Sequence, residues 1–191
     1  MFIDHSSYNY RTGVRYLLLT RRHKDGFLSE RRVNRISYSR DMFDRILEEL
    51  NSLAEDGERI YCSASPRDMN SAIRKFRQKQ LDSEYDSDPY KFYRHLEDRW
   101  ISCLMDPTSE RKNTKRWLID IDEEDSINTI RKDFIQANEK SIRMDERNIL
   151  LHEYNTKNGL HMIVRPFNPL FLELDESRRA IHKNPLMLLR Y

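Results

Sequence analysis

Apolar residues alternate with polar ones along some stretches of the chain and recur every three or four positions along others, and the change of period marks the elements. "VRYLLLTRRHKDGFLSERRVNRISY" reads as two strands turning at Lys24-Asp25-Gly26, since Asp-Gly supplies the positive φ angles of a tight hairpin. "DMFDRILEELNSLAEDG" has helical spacing, with Met42, Ile46, Leu47, Leu50 and Leu53 on one side and Gly57 as its stop. In "RIYCSASPRDMNSAIRKFRQKQL" a short strand runs into a helix, with Ser65 at the N-cap, Pro66 in the first turn and Asp68 as the reciprocal capping residue. The polar linker "DSEYDSDP" leads to a second helix, "DPYKFYRHLEDRWISCLMD", closed by Pro107.

"KRWLIDID" is a strand, and "EEDSINTIRKDFIQANEK" is a helix whose acidic first turn suits its dipole. "NILLHEY" and "LHMIVRPF" pair as a hairpin across "NTKNG", and "LDESRRAIHKNPLMLLRY" returns as a last strand. From Arg59 onward the order is strand, helix, helix, strand, helix, strand, strand. This is the split strand-helix-strand layout of a sheet like the RNA-recognition motif (RRM), with one helical insertion. The expected fold is therefore α+β: an RRM-like sheet flanked by helices over 58–191, and an N-terminal hairpin and helix lobe over 1–57, together one compact unit.

At 191 residues, 38% apolar and 35% charged, the chain can bury one sizeable core. Its 34 basic and 32 acidic residues nearly cancel, so any nucleic-acid contact must rest on local patches. No apolar run approaches the roughly 18 residues of a membrane span. The start, "MFIDHSSYNYRTG", lacks the basic-then-apolar order of a signal peptide, and a cytoplasmic protein without membrane contact is expected. Cys62 and Cys103 stand apart from each other, which supports neither a zinc site nor a disulfide framework. With four glycines and no Walker or dinucleotide fingerprint, phosphate-cradling loops are excluded.

Strand alternation points Trp117, Ile119 and Ile121 one way and Leu118, Asp120 and Asp122 the other. Two like charges on one face repel unless a cation lies between them, and oxygen ligands suit magnesium or manganese. The plainer alternative is that Asp122 only opens the acidic cap of the following helix. Further on, His161, Ile163 and Arg165 share a face just after Gly159, where a backbone or ligand can come close.

A strand reading Leu118-Ile119-Asp120-Ile121-Asp122, followed by a strand opening Gly159-Leu160-His161, resembles the catalytic pattern of the archaeo-eukaryotic primase superfamily, the primase-polymerases, in its small phage-type members. The resemblance covers roughly residues 59–185, including the element order. It implies a nucleotidyltransferase of DNA replication that makes or extends a primer. Asp120 and Asp122 would hold two magnesium or manganese ions, and His161 would contact the triphosphate of the incoming nucleotide. For the third acidic motif the best match is Leu174-Asp175, while Ala180 stands just before "IHKNP", where the aspartate is expected.

Arg67, Arg165, Lys183 and Lys157 are candidates for the nucleotide's phosphates, Arg67 through an expected place in a helix's first turn. Arg74, Lys75, Arg77 and Lys79 form a basic flank that could follow a nucleic-acid backbone. Partners implied are a single-stranded DNA or RNA template, nucleoside triphosphates and a helicase, in a bacterial cytoplasm if the gene is a phage's. A degenerate relative that binds without turnover is one alternative. A metal-dependent or replication-initiator nuclease is another, although "LHMIV" has one histidine where the latter needs two. His152 and His182 read as packing residues, and Tyr61 and Phe167 alone make a thin stacking platform.

Overall fold

The computed structural model describes residues 13–21, 29–83, 88, 90–110, 114–122, 124–145, 149–156, 159–183 and 185–190. The Lys24-Asp25-Gly26 turn, most of the "DSEYDSDP" linker and Lys157 lie outside the described residues. The fold is mixed α+β, with two antiparallel sheets and, among the described residues, six α-helices. The chain forms two compact units: Met1–Thr114 together with Leu186–Tyr191, and Lys115–Pro185.

In the first unit β1 (Gly13–Arg21) is paired by β2 (Arg31–Ser37) on one side and β3 (Arg59–Ser63) on the other. Most side chains of β1 are buried on both faces of the sheet, which suits the unbroken run "VRYLLLT". Val14 and Tyr16 point to a layer formed by α2 (Met69–Ser83) and α4 (Leu96–Leu104), where they meet Ala72 and Leu104. β9 (Leu186–Arg190) pairs β3 at the sheet's other edge. The strand at Arg59 therefore belongs to this sheet and not to the one carrying the acidic motif, against the element order expected from the sequence.

Three local expectations shift. In α1 (Arg40–Leu53) the buried stripe is Phe43, Ile46 and Leu50, while Leu53 is exposed, so Phe43 and not Met42 leads the apolar face. The cap of α2 is Asp68, whose carboxylate accepts from the amides of Asn70 (2.9 Å) and Ser71 (3.2 Å). Arg67 and Asp68 form the two-residue strand β4 beside Gly13 and Val14, which moves the helix start past Ser65 and Pro66. The expected second helix is broken at His95 into α3 (Tyr90–Arg94) and α4.

The second unit runs β5 (Trp117–Ile121), α5 (Glu124–Asp145), β6 (Leu150–Asn155), β7 (Leu160–Val164), α6 (Asp175–Arg179) and β8 (Ile181–His182). Its sheet has the order β6-β7-β5-β8, every neighbour antiparallel. Ile119, Ile121, Leu160, Met162 and Val164 from one face pack with Ile130, Phe134 and Ala137 of α5 into a buried cluster. The period of two in the strands and of three to four in the helix meet in this core. The other face is left to Leu118, Asp120, His161, Ile163, Tyr154 and His152, with His182 opposite Leu118.

Candidate functional site

The pairing register, more than the strand itself, makes the site. β5 and β7 align so that Asp120 lies directly opposite His161, and β6 and β7 so that Tyr154 lies opposite His161 on its other side. Three polar side chains from three neighbouring strands thus form one line across the sheet. Cross-strand neighbours stand about 5 Å apart at Cβ, close enough for direct bonds. His161 Nε2 is 2.9 Å from Asp120 Oδ1, and His161 Nδ1 is 3.0 Å from Tyr154 Oη. The Tyr154 and His161 rings meet edge to face, with centroids 5.2 Å apart, and His152 stacks against Tyr154 at 5.8 Å.

Two features hold Asp120 in place. Its amide donates to the Ala180 carbonyl at 3.0 Å, tying β5 to the chain entering β8. That chain is itself fixed by Asp133 of α5, whose carboxylate accepts from the amides of Glu173 and Leu174, each at 3.0 Å. The hydrogen bond from His161 holds the Asp120 carboxyl below its usual range; partial burial opposes this, and the charges of His161 and His182 reinforce it. Asp120 is therefore ionised at neutral pH.

Gly159 explains why a small residue precedes the histidine. A Cβ at this position would stand 1.7 Å from the Ile121 carbonyl oxygen and 3.1 Å from Asp122 Cα. The backbone that ends the acidic motif thus passes directly against this glycine, and any side chain there would drive the two strands apart.

The other candidates are distributed unevenly. Asp122 follows the last residue of β5 and is exposed, one step beyond the ladder that holds Asp120. Asp175 opens α6 with its carboxylate exposed and paired to Arg178 at 2.5 Å. Arg165 shares the parity of His161 but lies past the far end of β7, four residues or about 13 Å along the strand, and it is exposed. The Lys183 ammonium sits 5.4 Å from the Trp117 ring, and Trp117 packs with the α5 side of the sheet, opposite the Asp120 face. Arg67 is fully buried in the first unit, 3.4 Å from the equally buried Glu110, so the expected phosphate contact gives way to an internal ion pair.

His152, read as a packing residue from sequence, and Tyr154, not singled out there, take part in the line. Tyr154 bonds His161, and His152 backs Tyr154. Simple alternation had placed Leu150 on their face, but a bulge between Leu150 and His152 sets Leu150 opposite Val164, with the core side. The one signal in the sequence was the shared parity of Tyr154 and His152.

Among the described residues no group of three or more His, Cys, Asp or Glu is gathered closely enough to hold a metal ion. The acids of the motif are Asp120 in β5 and Asp122 just after the strand, both oxygen donors. Magnesium is commonly held by one or two carboxylates with substrate phosphates completing its shell. Two carboxylates are the donor type such an ion takes, whereas Asp175 is engaged with Arg178 and Ala180 offers no ligand. No protein-family model matches the chain, and neither does a curated protein or a solved structure. No helix among the described residues is long and apolar enough to cross a membrane.

Proposed function

We propose that the chain is a primase-polymerase-like nucleotidyltransferase that transfers nucleotides from triphosphates to the 3′ end of a strand paired to a single-stranded DNA or RNA template. The observation that carries this reading is Asp120 directly opposite His161 on adjacent antiparallel strands, with Gly159 pressed against the end of the acidic motif. The second unit supports an RRM-like sheet as the scaffold: its elements run strand, helix, strand, strand, helix, strand, with the first strand central and the last at its free side. Asp120 and Asp122 would hold a magnesium or manganese ion, which when bound neutralises phosphate charge. His161, whose Nε2 lies 2.9 Å from Asp120 Oδ1, then stands beside that charge. The work is placed in the cytoplasm, with a helicase as the partner that exposes template.

The test is primer synthesis and extension on single-stranded templates with manganese or magnesium, with ribonucleotides and deoxyribonucleotides assayed in parallel. Asp120→Ala and Asp122→Ala should each reduce product at least 100-fold, the order expected for losing a metal ligand or its immediate support. Product that persists in both variants overturns the assignment. A second reading, nucleotide or strand binding without turnover, is favoured by Ala180 beside Asp120 and by the engagement of Asp175 with Arg178. Calorimetry distinguishes it: heat on adding a triphosphate with magnesium, without product in the extension assay, selects binding alone.

A further inference from the structure

We infer that the outward side of α2 and α3 is a binding surface for single-stranded nucleic acid, with Tyr90 and Tyr93 as stacking residues for bases and Arg74 and Arg77 as contacts for phosphates. It rests on the proposed function only for the use of the bound strand as template. The surface itself lies in the first unit, in elements that carry none of the acidic motif. Phe92 of α3 is buried and its ring packs against Phe76 of α2, with centroids 5.4 Å apart, which sets the two helices side by side. Burying Phe92 turns its neighbours outward: Tyr90 is 77% exposed and Tyr93 53%. A single exposed ring needs no explanation, but two held together on one short helix make a patch.

The patch continues into a stripe. Arg74, Arg77 and Gln80 follow one another at three-residue steps along α2, and Tyr90 and Tyr93 are one such step apart on α3. Residues so spaced are surface neighbours, about 5–6 Å apart at Cβ. Gln80 Nε2 joins the two rows by donating to Tyr93 Oη at 3.4 Å. Charge decides what the stripe can receive. α2 and α3 together carry six cations, Arg74, Lys75, Arg77, Lys79, Lys91 and Arg94, and one carboxylate, Asp82, in a chain whose charges otherwise nearly cancel. Lys75 is paired with Asp106 and Arg94 with Asp88, while Glu97 of α4 is engaged by Asn34 of β2. The linker acids Glu84 and Asp86 lie outside the described residues. Arg74, Arg77 and Lys91 are exposed and, among the described residues, paired with no carboxylate. Exposed rings beside free cations suit a single strand, because every base offers a π face and every linkage an anion. In a duplex the base faces are stacked on one another and closed to such rings.

The experiment measures the fluorescence anisotropy of a labelled oligothymidylate with the full chain, without metal ion or triphosphate, over a series of salt concentrations. The double variant Tyr90→Ala, Tyr93→Ala, folded by its amide spectrum, should bind at least 10-fold more weakly, one base stacked on an aromatic ring being worth roughly 5- to 150-fold in affinity. The double variant Arg74→Ala, Arg77→Ala should lower the slope of log affinity against log salt by about 1.4, at about 0.7 for each single-strand phosphate contact. Unchanged affinity in the tyrosine variant overturns the inference, and so does an unchanged salt slope in the arginine variant. Equal affinity for a duplex of the same length overturns it as well, as does displacement of the strand by polyglutamate as readily as by unlabelled strand, which would assign the face to an acidic protein. A wild type that binds no strand overturns it without any variant, should one fail to fold. Strand binding that depends on this face, with no product in primer extension, leaves the inference standing and removes the nucleotidyltransferase reading. Product formation with strand binding unchanged in both variants does the reverse.

Discussion

The Asp120 carboxylate is half-enclosed and bonded to an imidazole, and Asp106 illustrates the same principle at a purely structural position. The Lys75 ammonium, with the Thr108 amide and hydroxyl, holds Asp106 at about 2 against partial burial. Because its folded value lies below the ordinary carboxylate value of about 3.9, Asp106 stabilises the folded state above that pH, and the contribution is lost as pH falls toward 2. Denaturant unfolding in a series of acidic buffers should therefore be less steep in pH for Asp106→Asn than for wild type. The difference should be small, since this side chain is partly exposed and its ion pair is screened. Arg67 and Glu110 form the buried counterpart. Removing one side of a buried ion pair is strongly destabilising, and Arg67→Met should cost about 3–5 kcal/mol in chemical unfolding. Adding Glu110→Leu should recover most of that loss, which a role for Arg67 in phosphate binding would not predict.

Between elements, the contact that matters most is Gly159 against the end of β5. Gly159→Ala must push a methyl group into the Ile121 carbonyl, so it should destabilise by ~2–3 kcal/mol in thermal or chemical unfolding. It should also shift the amide signals of Ile121 and Asp122 while leaving those of α1 unchanged. Much of this level was legible in the sequence. The alternation of "WLIDI" assigned Ile119 and Ile121 to the core and Asp120 to the opposite face, and the small residue before Leu160-His161 pointed to a close approach. Other features were not legible. The α1 stripe shifted to Phe43 because the side chains that reach a core depend on how the helix sits on its sheet, and several apolar choices share one arc. The α2 cap moved to Asp68 because Arg67 and Asp68 were drawn into pairing with β1, a contact distant in sequence. Tyr154 escaped notice because the bulge at Leu151 breaks the simple alternation along β6.

At the scale of the whole molecule, the chain leaves its first unit after Thr114, builds the second, and returns for a last strand. β9 covers the edge of β3 and buries Met187 and Leu188. Deleting Leu186–Tyr191 should cost roughly 3–6 kcal/mol, taking about 1.5–3 for each buried side chain. The bared β3 edge should appear as self-association in size-exclusion chromatography. Sequence alone determined the alternation that faces Asp120 away from the core, the glycine that lets two strands meet, and the helical periods, because each depends on residues within one turn or one strand. Tertiary structure decided which sheet the strand at Arg59 joined, that Arg67 is spent on Glu110, and that Asp120, His161 and Tyr154 fall in one line. Those outcomes follow from strand register and long-range pairing, where a shift of one residue would turn every side chain to the other face.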